Sequence, residues 1–339
     1  MKFIEIIDID KNTWNDFVLS HQNGNFFQTF DYYELHVKSR IYKPVGYAVI
    51  QDNEVLGVIV GVIYKNYLWP VNTLTKRTVI IGGPLIKDNR SDVFDFLMNE
   101  FCKAESKNSI YIQFRNTWDI KNQNFTFEKF NFVYEDHLDI LHDLTQSKES
   151  IIQNISKGKI GNIHKSKNKG TLIEEIKIIE DFKSGLNLIT STYKRIGLPC
   201  PPKEYFINAF TKHKDSGLIK SFGVFVDNEI IAMRIEICYK DKIYDWYTGD
   251  KEGFNNRYPN DVLPFHIILW GKENGYKTFD FGGAGKPNIP YGVRDHKIKF
   301  GGELVSYGRY EKVNSKLKMF FLKVGFYIFK ISKRNMKYG

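Results

Sequence analysis

The chain has 339 residues, of which 42% are hydrophobic and 26% charged, enough for one large core or two smaller ones and too apolar for a disordered polymer. Lys and Arg number 49 against 39 Asp and Glu, and the net charge of +10 favours phosphate-bearing partners such as nucleotide sugars, tRNA or an anionic membrane face. Three cysteines without paired spacing (Cys102, Cys200, Cys238), acidic residues at Glu5, Asp8 and Asp10, and the lack of a long apolar run argue against a disulfide framework, a zinc site, a signal peptide and a spanning helix, so a reducing cytoplasm is the expected compartment.

In chain order, Phe26-Phe27-Gln28-Thr29 leads into a helix over Asp31 to Lys38. Gly46 to Trp69 then reads strand, two-residue turn, strand, because Asp52 and Asn53 tolerate the positive φ of a tight hairpin. A strand at Arg77 to Ile81, a helix from Ser91 to Ser106 with Ser91 as its cap, and a strand at Ser109 to Arg115 follow. A strand at Leu138 to Leu141 gives way to the polar TQSKES, which places a domain boundary near Leu144 to Glu149. Lys157 to Lys169 reads as a solvated basic helix, with an RNA-facing patch as the alternative. Helices at Asp181 to Arg195 and Lys203 to Lys212 precede a second hairpin, Ser221 to Tyr244. Then come a strand (Tyr244 to Thr248), a helix from Asp261 to Asn274 closed by Gly275, and a strand (Thr278 to Phe281).

The two hairpins align without a gap at an offset of 175 residues. Asp52-Asn53-Glu54 falls on Asp227-Asn228-Glu229, and Tyr64-Lys65 on Tyr239-Lys240. Similar elements follow each, so the chain reads as a duplicated α/β (α+β) domain, each copy a mixed sheet flanked by helices. The element order is that of the GNAT acyltransferase fold. The expected limits are 1–145 and 146–315, followed by a basic, aromatic tail at 316–339.

The densest chemistry lies between Tyr258 and Arg309. Glycines cluster after a strand expected to be buried (Gly282, Gly283, Gly285), where backbone N–H groups can approach a ligand. Lys286, Arg294, Lys297 and Lys299 follow closely, and Tyr258 and Tyr291 suit a pocket wall. No phosphate loop, dinucleotide fingerprint, nucleophile triad or HExxH motif is present. GNAT enzymes hold the CoA diphosphate on a glycine loop opening the central helix. Here that loop reads Asn255-Asn256-Arg257-Tyr258-Pro259-Asn260-Asp261, without glycine and with a carboxylate that repels a diphosphate.

These residues resemble the Fem-type peptidoglycan-bridge aminoacyltransferases, a tandem-GNAT family. The resemblance spans nearly the whole chain. It is clearest in YKTFDFGGAG, then Tyr291-Gly292-Val293 and the basic segment His296-Lys297-Ile298-Lys299-Phe300, read as a strand. The stretch Phe26 to Thr29 is similar to the family's FxQS segment. The resemblance implies that Lys297 stabilises the tetrahedral intermediate, with His296 where the family has Phe. It also implies that His36, or Lys38 beside it, grips the acceptor's diphosphate. Asp261 and Asp280 are the candidates to take the amine proton, and Arg294 is suited to a phosphate.

The implied reaction moves an amino acid from aminoacyl-tRNA to an amine of a nucleotide- or lipid-linked envelope precursor, with no bound cofactor or metal. Two alternatives stand beside it: an acyl-CoA-dependent N-acyltransferase acting on a nucleotide sugar or polysaccharide precursor, and a non-catalytic module that binds precursor or RNA. The tail from Lys316 to Lys330, KLKMFFLKVGFYIFK, suits peripheral contact with an anionic membrane.

Overall fold

The computed structural model describes residues 1–39, 42–64, 76–121, 123–322 and 324. In order, the chain forms β1 (Lys2–Glu5), α1 (Lys11–Ser20), α2 (Phe30–Val37), β2 (Tyr42–Gln51), β3 (Glu54–Tyr64), β4 (Arg77–Ile81) and β5 (Leu85–Ile86). Next come α3 (Ser91–Glu105), β6 (Tyr111–Arg115), β7 (Val133–Glu135), β8 (Leu138–Asp143), α4 (Lys148–Asn154), α5 (Lys157–Asn168) and β9 (Leu172–Glu175). Then follow α6 (Ile179–Ile196), α7 (Lys203–His213), β10 (Ile219–Val226), β11 (Glu229–Tyr239), β12 (Lys242–Asp250) and α8 (Pro259–Glu273). Last come β13 (Thr278–Gly285), α9 (Gly292–Lys297), β14 (Glu303–Ser306) and β15 (Arg309–Val313).

Two compact units result: Met1–Asp136 with Tyr307–Gly339, and His137–Ser306. In the first, the strand order is β1-β2-β3-β4-β6-β15-β7, with β5 on β3. Helix α3 turns Val93, Phe94, Leu97, Met98, Phe101 and Cys102 onto this sheet, the spacing of a single helical stripe. Burying each large apolar side chain stabilises the unit by about 1.5–3 kcal/mol. In the second unit the order is β14-β8-β13-β12-β11-β10-β9, with α8 placing Val262, Leu263, Ile267 and Ile268 in its core.

The duplication reaches fine detail. Asp52 and Asn53 have φ of 51° and 64°, and Asp227 and Asn228 have 49° and 63°. The register of each hairpin slips at equivalent points, Val49/Ile50 and Val224/Phe225. These points are again 175 positions apart. A bulge at one place in both copies is inherited geometry rather than chance.

The expected domain limits at 145 and 315 need correction. Strand β8 follows β7 in the chain but pairs with β13 and β14 in the second sheet. Strand β15 follows β14 but pairs with β6 and β7 in the first. The polar TQSKES is not a linker but a helix start, where the Ser147 hydroxyl accepts from the Ser150 N–H. Backbone pairing leaves no mark in a five- or six-residue strand that tells which sheet it joins.

The Phe26-to-Thr29 segment is structural. Gln28 is fully buried; its amide donates to the carbonyls of Val60 and Ile81 and accepts from the Val60 N–H. It joins β3 to the end of β4, where strand pairing stops.

The tail reading falls partly on residues outside those described. Within them, 316–322 is helical, with Leu317, Phe320 and Phe321 exposed. Among the described residues no helix is long and apolar enough to cross a membrane.

Candidate active site

The parallel pair β12–β13 holds together only from Lys242↔Thr278 to Tyr244↔Asp280. Beyond that, β12 runs on along β11 to Asp250 and β13 along β8 to Gly285 without pairing to each other, so the two strands part at their carboxyl ends. In the first unit the corresponding parallel pair, β4–β6, stays in register to Ile81↔Arg115. A parting between parallel strands exposes backbone groups at the end of a sheet where α/β folds bind ligands.

Lys297 comes to this parting from α9. The segment was expected to be a basic strand, and the structure places it in a helix followed by a 3-10 turn at Ile298–Phe300. Its alternating charges imitate a strand, yet Phe300 is buried and His296 and Lys297 half-buried, a three-to-four-residue spacing that only a helix brings together. Lys297 donates to the carbonyl of Phe281 and its ammonium lies 5.0 Å from that residue's ring centroid. A Cβ on Gly282 would come 3.8 Å from the Asp245 carbonyl and 4.0 Å from Lys297 Nζ, so this glycine, at φ 73°, lies where the strands diverge. Burial pushes the Lys297 ammonium below the usual lysine range, with Asp245, Asp280 and Asp139 opposing the shift and Arg234 adding to it.

Asp261 lies in the first turn of α8, buried, and forms an ion pair with buried Lys159 of α5. Its other oxygen accepts from Asn162 at 2.7 Å. Lys159 Nζ also reaches His296 Nδ1 at 2.9 Å, while His296 Nε2 lies 3.3 Å from the Asn260 carbonyl. A lysine only donates and a carbonyl only accepts, so His296 is neutral with its proton on Nε2. Burial first and the Lys159 charge second hold the imidazole below its ordinary pKa.

These contacts revise several expectations. Asp261 and His296 are engaged with Lys159, one donor to each Asp261 oxygen and both His296 nitrogens in contact, so they serve the closure over the α8 N-terminus. Asp280 accepts from the Gly282 N–H at 2.8 Å and fixes the glycine loop. Arg294 donates to the carbonyls of Lys286 and Ile289, both at 2.8 Å, so its guanidinium staples the loop instead of gripping phosphate. His36 is 2% exposed, stacked edge-on between Tyr32 and Tyr42, and burial lowers its pKa to about 4. A neutral core imidazole does not hold a diphosphate, whereas Lys38, at the end of α2, is exposed.

Other expected residues keep positions compatible with a site. Gly283, Lys286, Tyr291 and Lys299 are exposed around the loop, and Tyr291 covers Gly285. Tyr258 enters α8 at φ 53°, half-buried, with Lys169 5.8 Å above its ring. The solvated reading of the basic helix fails at Lys159. Arg234, Glu236 and Asp245 were not anticipated either. The signal of the first two was legible: charges at alternate positions inside the apolar run Ile230 to Cys238.

Residues 187–297 match the family described as acetyltransferase (GNAT) domain. Among curated proteins none matches the sequence significantly. The crystal structure of FemX superposes with a TM-score of 0.70 at 15% identity, over 92% of this chain and 97% of that one. The C-terminal domain of a putative lysylphosphatidylglycerol synthetase from Agrobacterium fabrum gives 0.57 at 12% identity, over 92% and 94%. A tandem GNAT protein from the clavulanic acid biosynthesis pathway gives 0.54 at 6% identity, over 93% and 98%. The fold is therefore a tandem GNAT fold, as expected, and together with the family match it supports an acyltransferase.

Proposed function

We propose that the second unit transfers an aminoacyl group from aminoacyl-tRNA to an amine of an anionic, nucleotide- or lipid-linked envelope precursor. One observation carries the reading: Lys297 sits at the parted strands while the α8 N-terminus, the diphosphate seat of a GNAT enzyme, is filled by Asp261 and Lys159. Pro259 removes a further N–H donor there. In the transfer, the amine attacks the ester carbonyl, a C–N bond forms and the ester C–O bond breaks. The Lys297 ammonium stabilises the oxyanion, and the amine proton ends on the departing ribose hydroxyl. The likeness to a lysylphosphatidylglycerol synthetase domain supports an envelope acceptor.

The family match favours a second reading, an acyl-CoA donor. Mass spectrometry of muropeptide and glycan-amine precursors, incubated with charged tRNA and separately with acetyl-CoA, tests both. Acylation from charged tRNA alone is expected. Product from acetyl-CoA alone replaces the donor, and no product from either supports a binding module.

Exposed Leu317, Phe320 and Phe321, followed by a sequence without Asp or Glu after Glu311, support contact with an anionic membrane. The full chain is expected to float with phosphatidylglycerol vesicles and a chain ending at Ser315 to remain behind. Equal behaviour of the two removes the tail from the proposal.

A further inference from the structure

Behind Lys297, two carboxyl groups face one another across the sheet. Glu236 on β11 and Asp245 on β12 are direct register partners, brought opposite by the bulge at Ile235/Glu236. Arg234, two residues earlier on the same face, lies 2.7 Å from Asp245 as an ion pair. Glu236 is wholly buried, and neither of its carboxyl oxygens has a hydrogen-bond partner. A carboxylate buried without donors is costly, and two facing carboxylates do not both ionise cheaply. Asp245 has the arginine within ion-pair distance, which makes Glu236 the better placed of the two to hold a proton.

We propose that Glu236 is a positioning residue that, by remaining un-ionised, keeps the Lys297 ammonium out of an ion pair with it and on the Phe281 carbonyl at the parted strands. An ionised Glu236 would pair with Lys297 inside the sheet. An ammonium already neutralised by an intimate carboxylate has little left for a developing oxyanion. The charged groups facing Glu236 are Asp245 from β12, Arg234 from its own strand and Lys297 from α9. Asp280 of β13 and Asp139 of β8 face Lys297 in turn, and Tyr193 of α6 faces Asp245 and Arg234. Burial first, and Asp245 second, push the Glu236 carboxyl well above its usual range. The role rests on the transfer reading above, but the assigned state does not.

The test joins spectroscopy to kinetics. Infrared spectra of protein carrying ¹³C-glutamate are expected to contain the carbonyl stretch of an un-ionised acid at neutral pH, lost in Glu236→Gln. In NMR of ¹³C-methylated lysines, Lys297 is expected to titrate as in wild type in Glu236→Gln. In Asp245→Asn its titration should fall, because a carboxylate that favours the charged lysine is lost. Turnover of E236Q should drop by less than about tenfold, short of the 10²–10³ expected for loss of an oxyanion donor. Absence of the acid band, a downward shift of Lys297 in E236Q, or a folded E236Q as inactive as a Lys297 variant each overturn the proposal. An acid band and matching titrations in a protein that acylates nothing would sink the transfer reading alone.

Discussion

Lys297→Ala is expected to lower kcat about 10²–10³-fold while leaving the folded state intact, the loss typical of one oxyanion donor. The ammonium is held by the Phe281 carbonyl and a surrounding of Asp245, Asp280 and Asp139, and no backbone element is paired through this side chain. Circular dichroism of K297A should show the folded protein, with any fall in melting temperature reporting the carboxylates left without the ammonium. KM should change much less than kcat if the residue acts in the transition state and not in ground-state binding. A K297A enzyme with full turnover would remove Lys297 from the chemistry, whatever the fold.

The same residue fixes a pH dependence. Burial lowers its pKa, so the charged form is present below that shifted value and lost as pH rises through it. The alkaline limb of kcat/KM should fall before the ordinary lysine range is reached. Lys297→Arg should move that limb upward, because a guanidinium does not deprotonate in a protein. A limb that stays in place in the arginine variant would assign it to another group.

Much of the fold was legible because hairpin turns and helical stripes are local signals. Asp52-Asn53 and Asp227-Asn228 state a turn without reference to the rest of the chain, and the stripe from Val93 to Cys102 states a helix face. Strands β8 and β15 were placed in the wrong halves because sheet membership depends on backbone partners far away in sequence. The segment from His296 to Phe300 was misread because Lys297-Ile298-Lys299-Phe300 alternates charged and apolar residues over too few positions to separate the two periods.

The candidate site was legible in composition and obscure in geometry. The glycine loop, Lys297 and the missing diphosphate seat could be read from residue types. Which cations point inward could not. Lys159 sits among Lys157, Lys165, Lys167 and Lys169 and is set apart by its buried carboxylate partner on α8. His36 resembled a phosphate ligand by position, yet Tyr32 and Tyr42 enclose it. In both cases the deciding fact is a neighbour contributed by another element.

Stability should depend most on the Lys159–Asp261 pair. Both side chains are 9% exposed, and Asp261→Ala leaves the lysine charge buried without its carboxylate. Breaking one side of such a pair costs about 3–5 kcal/mol, whereas replacing both partners by apolar residues of similar volume is often near neutral. Urea unfolding should accordingly rank Asp261→Ala far below wild type, with Lys159→Met combined with Asp261→Leu recovering most of the loss. The pH dependence carries a definite sign. Burial, the largest influence, lowers the Lys159 pKa below 10.5 despite the opposing pull of Asp261. Between the folded and unfolded values the unfolded chain binds the extra proton, so raising the pH favours the folded state. Without Asp261 the folded pKa drops further and the window widens. The deficit of D261A should therefore shrink as pH rises toward the ordinary lysine value. A deficit that stays constant with pH would mean that Lys159 escapes to solvent when its partner is removed, and that the closure over the α8 N-terminus is not held by charge.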